Sequence, residues 1–101
     1  MKPTIGRIVL FAFIAGNGEI IERPAIVVRT WEKYGVQLQV FTDGSNDNHL
    51  LAPAERDQPA VWRTSVIPAD DHDKAQVGRW RWPPTEKLVS GTVESTTEGG
   101  A

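Results

Sequence analysis

No cysteine occurs anywhere in the chain, so neither a disulfide nor a thiolate zinc site supplements its core, and the sequence suits a reducing compartment. Apolar runs are short as well. The longest, Ile8 to Ile14, falls far below the roughly 20 residues needed to cross a bilayer as a helix. The opening, with Pro3 and Gly6 close to Met1, lacks the pattern of a secretory signal, and the expectation is a cytoplasmic protein. An excess of positive charge is missing too: the formal net charge is −2, which argues against a general, sequence-independent nucleic-acid binder but leaves room for a local patch. Histidine is confined to His49 and His72, each within two residues of an aspartate in polar surroundings and without zinc-type spacing, so no metal and no cofactor are expected. Asp43, Asn46 and Asp47 have the composition of a calcium loop but neither its ligand order nor its closing glutamate. There is no glycine-rich phosphate loop, and Ser45 and Ser65 lack the flanking glycines of a nucleophile elbow.

What is present is β pattern. With 101 residues, 40% of them hydrophobic, the chain is one domain near the lower limit of what a single core stabilises. Arg23-Pro24-Ala25-Ile26-Val27-Val28 reads as a central strand opened by its proline and running to about Trp31. Before it, Thr4 to Ile14 reads as a first strand, bent at Gly6, with Ala15 to Glu22 a loop or hairpin arm on Gly16-Asn17-Gly18. Both sides of that first strand are apolar. Either it curls inside a closed barrel or its second face is covered by another subunit, which points toward a homo-oligomer.

Gly35, suited to a left-handed position, turns the chain into the alternating Val36-Gln37-Leu38-Gln39-Val40-Phe41. Thr42 to Asn48 has turn composition, and His49 to Ala60 reads as a long excursion with one helical turn at Ala54-Glu55-Arg56. Val61 to Ile67 is a fourth strand with Trp62, Thr64 and Val66 on one face and Arg63 and Ser65 on the other. After the acidic loop from Ala69 to Gln76, Val77 to Trp82 alternates tryptophan with arginine. The expected fold is therefore all-β: a small SH3-like barrel of about five strands over residues 1–85, followed by a flexible tail over 86–101 rich in Ser, Thr, Glu and Gly.

The arginines carry the functional expectation. If the fourth and fifth strands are antiparallel neighbours, Arg63, Arg79 and Arg81 share one wall and can fork onto phosphate oxygens, with Trp62 or Trp82 stacking on a base or ring beside them. The expected ligand is an anionic small molecule or a short nucleic-acid segment. Asp70, Asp71 and Asp73 suggest a different role, a loop that mimics nucleic-acid charge in a protein inhibitor of a host enzyme.

The opening Met1-Lys2-Pro3-Thr4-Ile5-Gly6-Arg7-Ile8-Val9, then Arg23 to Val27, Leu38 to Phe41 with Asp43-Gly44, and the closing Gly78-Arg79-Trp80-Arg81-Trp82-Pro83 resemble a set of small, mostly uncharacterised SH3-like barrel proteins of tailed phages and prophages. The resemblance implies a phage-encoded barrel in the host cytoplasm. Small oligomeric phage proteins often act by occupying a host target, and some bind the nucleotide signals of host defence, so it also implies a non-enzymatic, anti-defence binding module. A narrower similarity links Gly6-Arg7-Ile8-Val9 and Arg23 to Val28 to the MazF/Kid toxins, dimeric barrel endoribonucleases. On that similarity Arg23 and Thr42 would be the site residues of an alternative, nuclease activity; the chain from His49 onward departs from the toxins' later pattern.

Overall fold

A computed structural model describes residues 2–84; the expected tail, 86–101, lies outside the described residues. Within them the chain forms β1 (Ile8–Ile14), β2 (Ile20–Thr30), β3 (Val36–Phe41), β4 (Ala60–Val66) and a short β5 (Trp80–Arg81). They make one antiparallel sheet in the order β4-β3-β2-β1-β5. The segment just past β4 then reaches the far edge: Trp80 N–H donates to Ile67 C=O and Ala69 N–H to Trp80 C=O, with Pro68 bridged to Trp80. The sheet thereby closes on itself, which leaves little open edge. The all-β, five-stranded, barrel-like fold expected from the pattern is the fold observed.

Alternation sorts the side chains. Val9, Phe11 and Phe13 of β1, Ala25 and Val27 of β2, Val36, Leu38 and Val40 of β3, Val61 and Val66 of β4 and Trp80 of β5 are buried together. The long β3–β4 connection contributes as well. Its two 3-10 turns, Gly44–Leu50 and Pro53–Glu55, bring Leu51 into the core and Leu50 against it.

Several boundaries differ from expectation, for local reasons. β2 begins at Ile20 and passes through Pro24 rather than starting there. β3 first pairs with β2 at Ala25, so at Pro24 one side of the strand has no ladder to feed and the missing N–H costs nothing. Thr4 to Arg7 is a turn, with Gly6 at φ 93° and Arg7 N–H donating to Thr4 C=O, so β1 starts only at Ile8. In the β2–β3 turn the left-handed residues are Lys33 (φ 61°) and Tyr34 (φ 64°), while Gly35 is extended. The fifth strand is shorter than Val77 to Trp82 because Arg79 N–H turns back to Gln76 C=O.

The fourth strand holds the correction that matters for the site. Its register to β3 shifts between Arg63 and Val66, where Ser65 takes φ 55°. This is a β-bulge: one extra residue resets the alternation. Val66 therefore returns to the inner side with Val61, and Arg63, paired opposite buried Leu38, sits on that inner side too, leaving Trp62 outside opposite Gln39.

Candidate functional site

Arg63, Arg79 and Arg81 do not share a wall. β4 and β5 are separated by the rest of the sheet at the level of these residues. Arg63 lies at the inner rim, its guanidinium 5.9 Å and 5.5 Å from the ring centres of Phe11 and Phe13, and it donates to both carboxylate oxygens of Glu55 at 2.6 and 3.0 Å. Arg81 faces the other way. Opposite Leu10 on the outer side, it reaches over β1 to the two oxygens of Glu22 on β2, at 2.6 and 2.7 Å, and also donates to His72 C=O. Arg79 donates to Pro68 C=O at 3.1 Å and stands 3.6 Å from the exposed Asp70 carboxylate.

These are structural pairings with visible effects. Arg63 holds the Glu55 carboxyl below its ordinary range, and the Glu22 carboxylate raises the Arg81 guanidinium, with Asp73 and Asp71 adding to it. The fork geometry of guanidinium on carboxylate is the same one that would have met a phosphate, so both forks are already occupied.

The expected stacking partners also differ in availability. Trp82 is half-buried: it packs edge-on to Trp80 at 5.2 Å, lies under the Arg7 guanidinium at 5.3 Å, and its backbone N–H donates to His72 Nδ1. Trp80 is fully buried and donates its indole N–H to Tyr34 C=O. Trp62, 46% exposed on the outer face, keeps an open ring.

The pair proposed by similarity to a nuclease is brought to one corner and consumed there. Arg23 Nε and Nη2 donate to the two oxygens of Asp47 at 2.7 and 2.8 Å, and a third guanidinium donor meets Glu22 C=O. Asp47, 1% exposed, also accepts Asp43 N–H at 2.8 Å, and Arg23 above all holds its carboxyl below the usual range. Thr42 donates its hydroxyl to Gln58 C=O. What this corner does chemically is fasten the Gly44–Leu50 turn to β2. Glu22, Asp47 and Glu55, the three carboxylates that engage Arg81, Arg23 and Arg63, are the residues that reading the sequence missed; a count of acidic residues flanking the turns was the one available signal.

The acidic loop is partly internal in its bonding. Asp73 N–H donates to Asp71 and Asp70 N–H to Gln76, and the loop encloses a shallow recess of about 230 Å³ lined by Asp70, Asp71, Lys74, Ala75 and Gln76. No cluster of three metal-ligating side chains occurs among the described residues.

The conspicuous surface is elsewhere. One outward row crosses four strands, Trp62–Gln39–Ile26–Ile8, in the observed registers. The next outward positions are Leu10 opposite Pro24 and Phe41 opposite Ala60. Ile8 (46%) and Phe41 (42%) are exposed with Trp62, and no charged side chain interrupts either row until Arg81, which Glu22 neutralises. Compared with known protein families, with curated proteins and with solved structures, the chain matches none.

Proposed function

We propose that this chain is a non-enzymatic binding module whose working surface is the outer face of β1–β4, and that a second copy of the chain occupies that face. The carrying observation is the row Trp62–Gln39–Ile26–Ile8, apolar except for one amide, with Trp62 and Ile8 exposed at its ends, Gln39 and Ile26 half-buried between them, and no second layer over it among the described residues. Contiguous apolar patches of this kind mark interaction sites. A charge-free patch has nothing with which to select a charged partner, whereas Gln39 carries both a donor and an acceptor, so two copies related by a twofold axis satisfy each other's amides.

The pairing of Arg63, Arg79 and Arg81 with Glu55, Asp70 and Glu22 favours contact through this face over sequestration of an anion by those arginines. The same holds for Arg23 and Thr42, whose polar groups serve the turn beside them. Resemblance of the opening and of the Trp-x-Trp-Pro segment to small phage barrels supports a phage-encoded protein working in the host cytoplasm, where an oligomeric barrel acts by occupying a target.

Sedimentation velocity tests the assembly. Wild type should sediment at twice the chain mass, and Ile8→Glu or Trp62→Glu should give folded monomers, because an unpaired carboxylate cannot be buried in an apolar contact. A wild type that stays monomeric at high micromolar concentration, or a dimer indifferent to both substitutions, overturns the reading.

A further inference from the structure

The tip of the β2–β3 hairpin gathers side chains of a different kind. Arg29, exposed at the end of β2, lies over the indole of Trp31, its guanidinium carbon 4.1 Å from the ring centre. Lys33 and Tyr34 follow in the turn itself, and Trp31 and Tyr34 are both substantially exposed. Unlike Arg23, Arg63, Arg79 and Arg81, Arg29 is not matched with a carboxylate: Glu32, the acid of this turn, makes no ion pair with Arg29 or Lys33 among the described residues.

The tip is also held rigid. Lys33 and Tyr34 are consecutive non-glycine residues at positive φ, a conformation that persists only where surrounding bonds impose it. Here they do: Trp31 N–H donates to Gly35 C=O at 2.7 Å, and the buried Trp80 indole donates to Tyr34 C=O at 2.9 Å. Glycine or asparagine would make this turn without strain, and the chain instead places a cation and a ring there.

We propose that this tip binds a nucleobase joined to a phosphate. A guanidinium laid on an indole keeps its in-plane N–H fork pointing outward, where phosphate oxygens are received; Lys33 adds a second cation; the exposed rings of Trp31 and Tyr34 supply the surface on which a base stacks. The hydrogen bonds at Trp31, Gly35 and Tyr34 hold the backbone of the turn in place, which limits the backbone ordering that binding must impose. Free nucleotides and single-stranded nucleic acid both present this chemistry. The site uses none of the residues of the outer-face row and stands or falls separately from the dimer.

The experiment titrates the full chain at low salt with AMP and ATP in one arm and with an oligothymidylate in the other, following tryptophan fluorescence and heat. Saturable quenching by the mononucleotides identifies a free nucleotide as the ligand, and binding of the oligomer alone identifies a single strand; either supports the site. Quenching should survive Trp62→Phe and disappear in Trp31→Phe. Arg29→Ala should weaken binding by about tenfold, with Arg29→Lys between the two, since it restores the charge without the planar guanidinium. Circular dichroism and the melting temperature check that each variant is folded. No saturable signal in either arm at millimolar ligand, or unchanged affinity in folded Trp31→Phe and Arg29→Ala, overturns the proposal. Sedimentation of Trp31→Phe should equal that of wild type, which separates this site from the self-association face.

Discussion

At the scale of single residues, Asp47 shows how a side chain that looks like chemistry becomes architecture. It is buried, it takes both donors of Arg23 and the backbone N–H of Asp43, and its carboxyl is held below the ordinary range chiefly by the Arg23 hydrogen bonds. A depressed folded-state pKa means that the stabilisation is complete above the unfolded value of about 4 and disappears as pH falls through the lower, folded value. Glu55 beside Arg63 is depressed in the same direction and adds to the same acid-side loss. Asp47→Asn should therefore destabilise the protein by about 2 kcal/mol at neutral pH, less than the ~3–5 kcal/mol of a wholly buried broken pair because Arg23 keeps some water. Denaturant melts between neutrality and pH 3 check it: wild type should lose stability steeply on acidification and the Asp47→Asn variant should lose less, and parallel curves would count against the assignment. Sequence alternation placed these arginines on strands correctly in outline. It was silent on which carboxylate each would meet, because Glu22, Asp47 and Glu55 are brought to them by the sheet order and by turns with no period of their own.

At the scale of elements, the parts with a strict two-residue period were legible and the parts governed by one irregular residue were not. β3 lies where its alternation puts it, Val36–Phe41, and β1 buries Val9, Phe11 and Phe13 as its pattern demands. Polarity carries no mark of the bulge at Ser65, which puts Arg63 on the inner side with Val61 and Val66, and Pro24 breaks the strand pattern without breaking β2 because only one neighbour needs hydrogen bonds there. The β2–β3 turn went the same way: its glycine suggested the left-handed position, while the positive φ angles belong to Lys33 and Tyr34. That turn makes a prediction of its own. Replacing Lys33-Tyr34 by Asn-Gly supplies residues that adopt positive φ readily and keeps the backbone carbonyl at position 34 that Trp80 requires, so stability should rise by about 1–2 kcal/mol. In a domain of this size each kcal/mol moves the melting temperature by roughly 4–8 °C, so a thermal scan reads the gain directly. The same double variant should lose nucleotide affinity, since it removes Lys33 and the Tyr34 ring together. A variant no more stable than wild type would mean that the turn carries no strain.

At the scale of the whole molecule, a small closed barrel spends its interior on stability and has only its outside for recognition. Val9, Val27, Leu38, Val40 and Trp80 pack the interior with fully buried apolar side chains, and Arg81, Arg23 and Arg63 are engaged by Glu22, Asp47 and Glu55. Two surfaces remain, and they differ in physics. The face around Trp62, Gln39, Ile26 and Ile8 is uncharged, so association through it is driven by apolar burial. The tip around Arg29 and Lys33 works through phosphate contact, and such contacts weaken as salt rises because neutralising a phosphate releases counterions. Salt should therefore uncouple the two. Raising sodium chloride from about 50 to 200 mM should reduce oligothymidylate affinity several-fold, with a log–log slope of about one for the few phosphates that Arg29 and Lys33 reach, while the sedimenting mass stays unchanged or shifts toward dimer. If both processes weaken together, the dimer is held by charge, and the apolar row is a bystander to an interface built on the ionic residues around it.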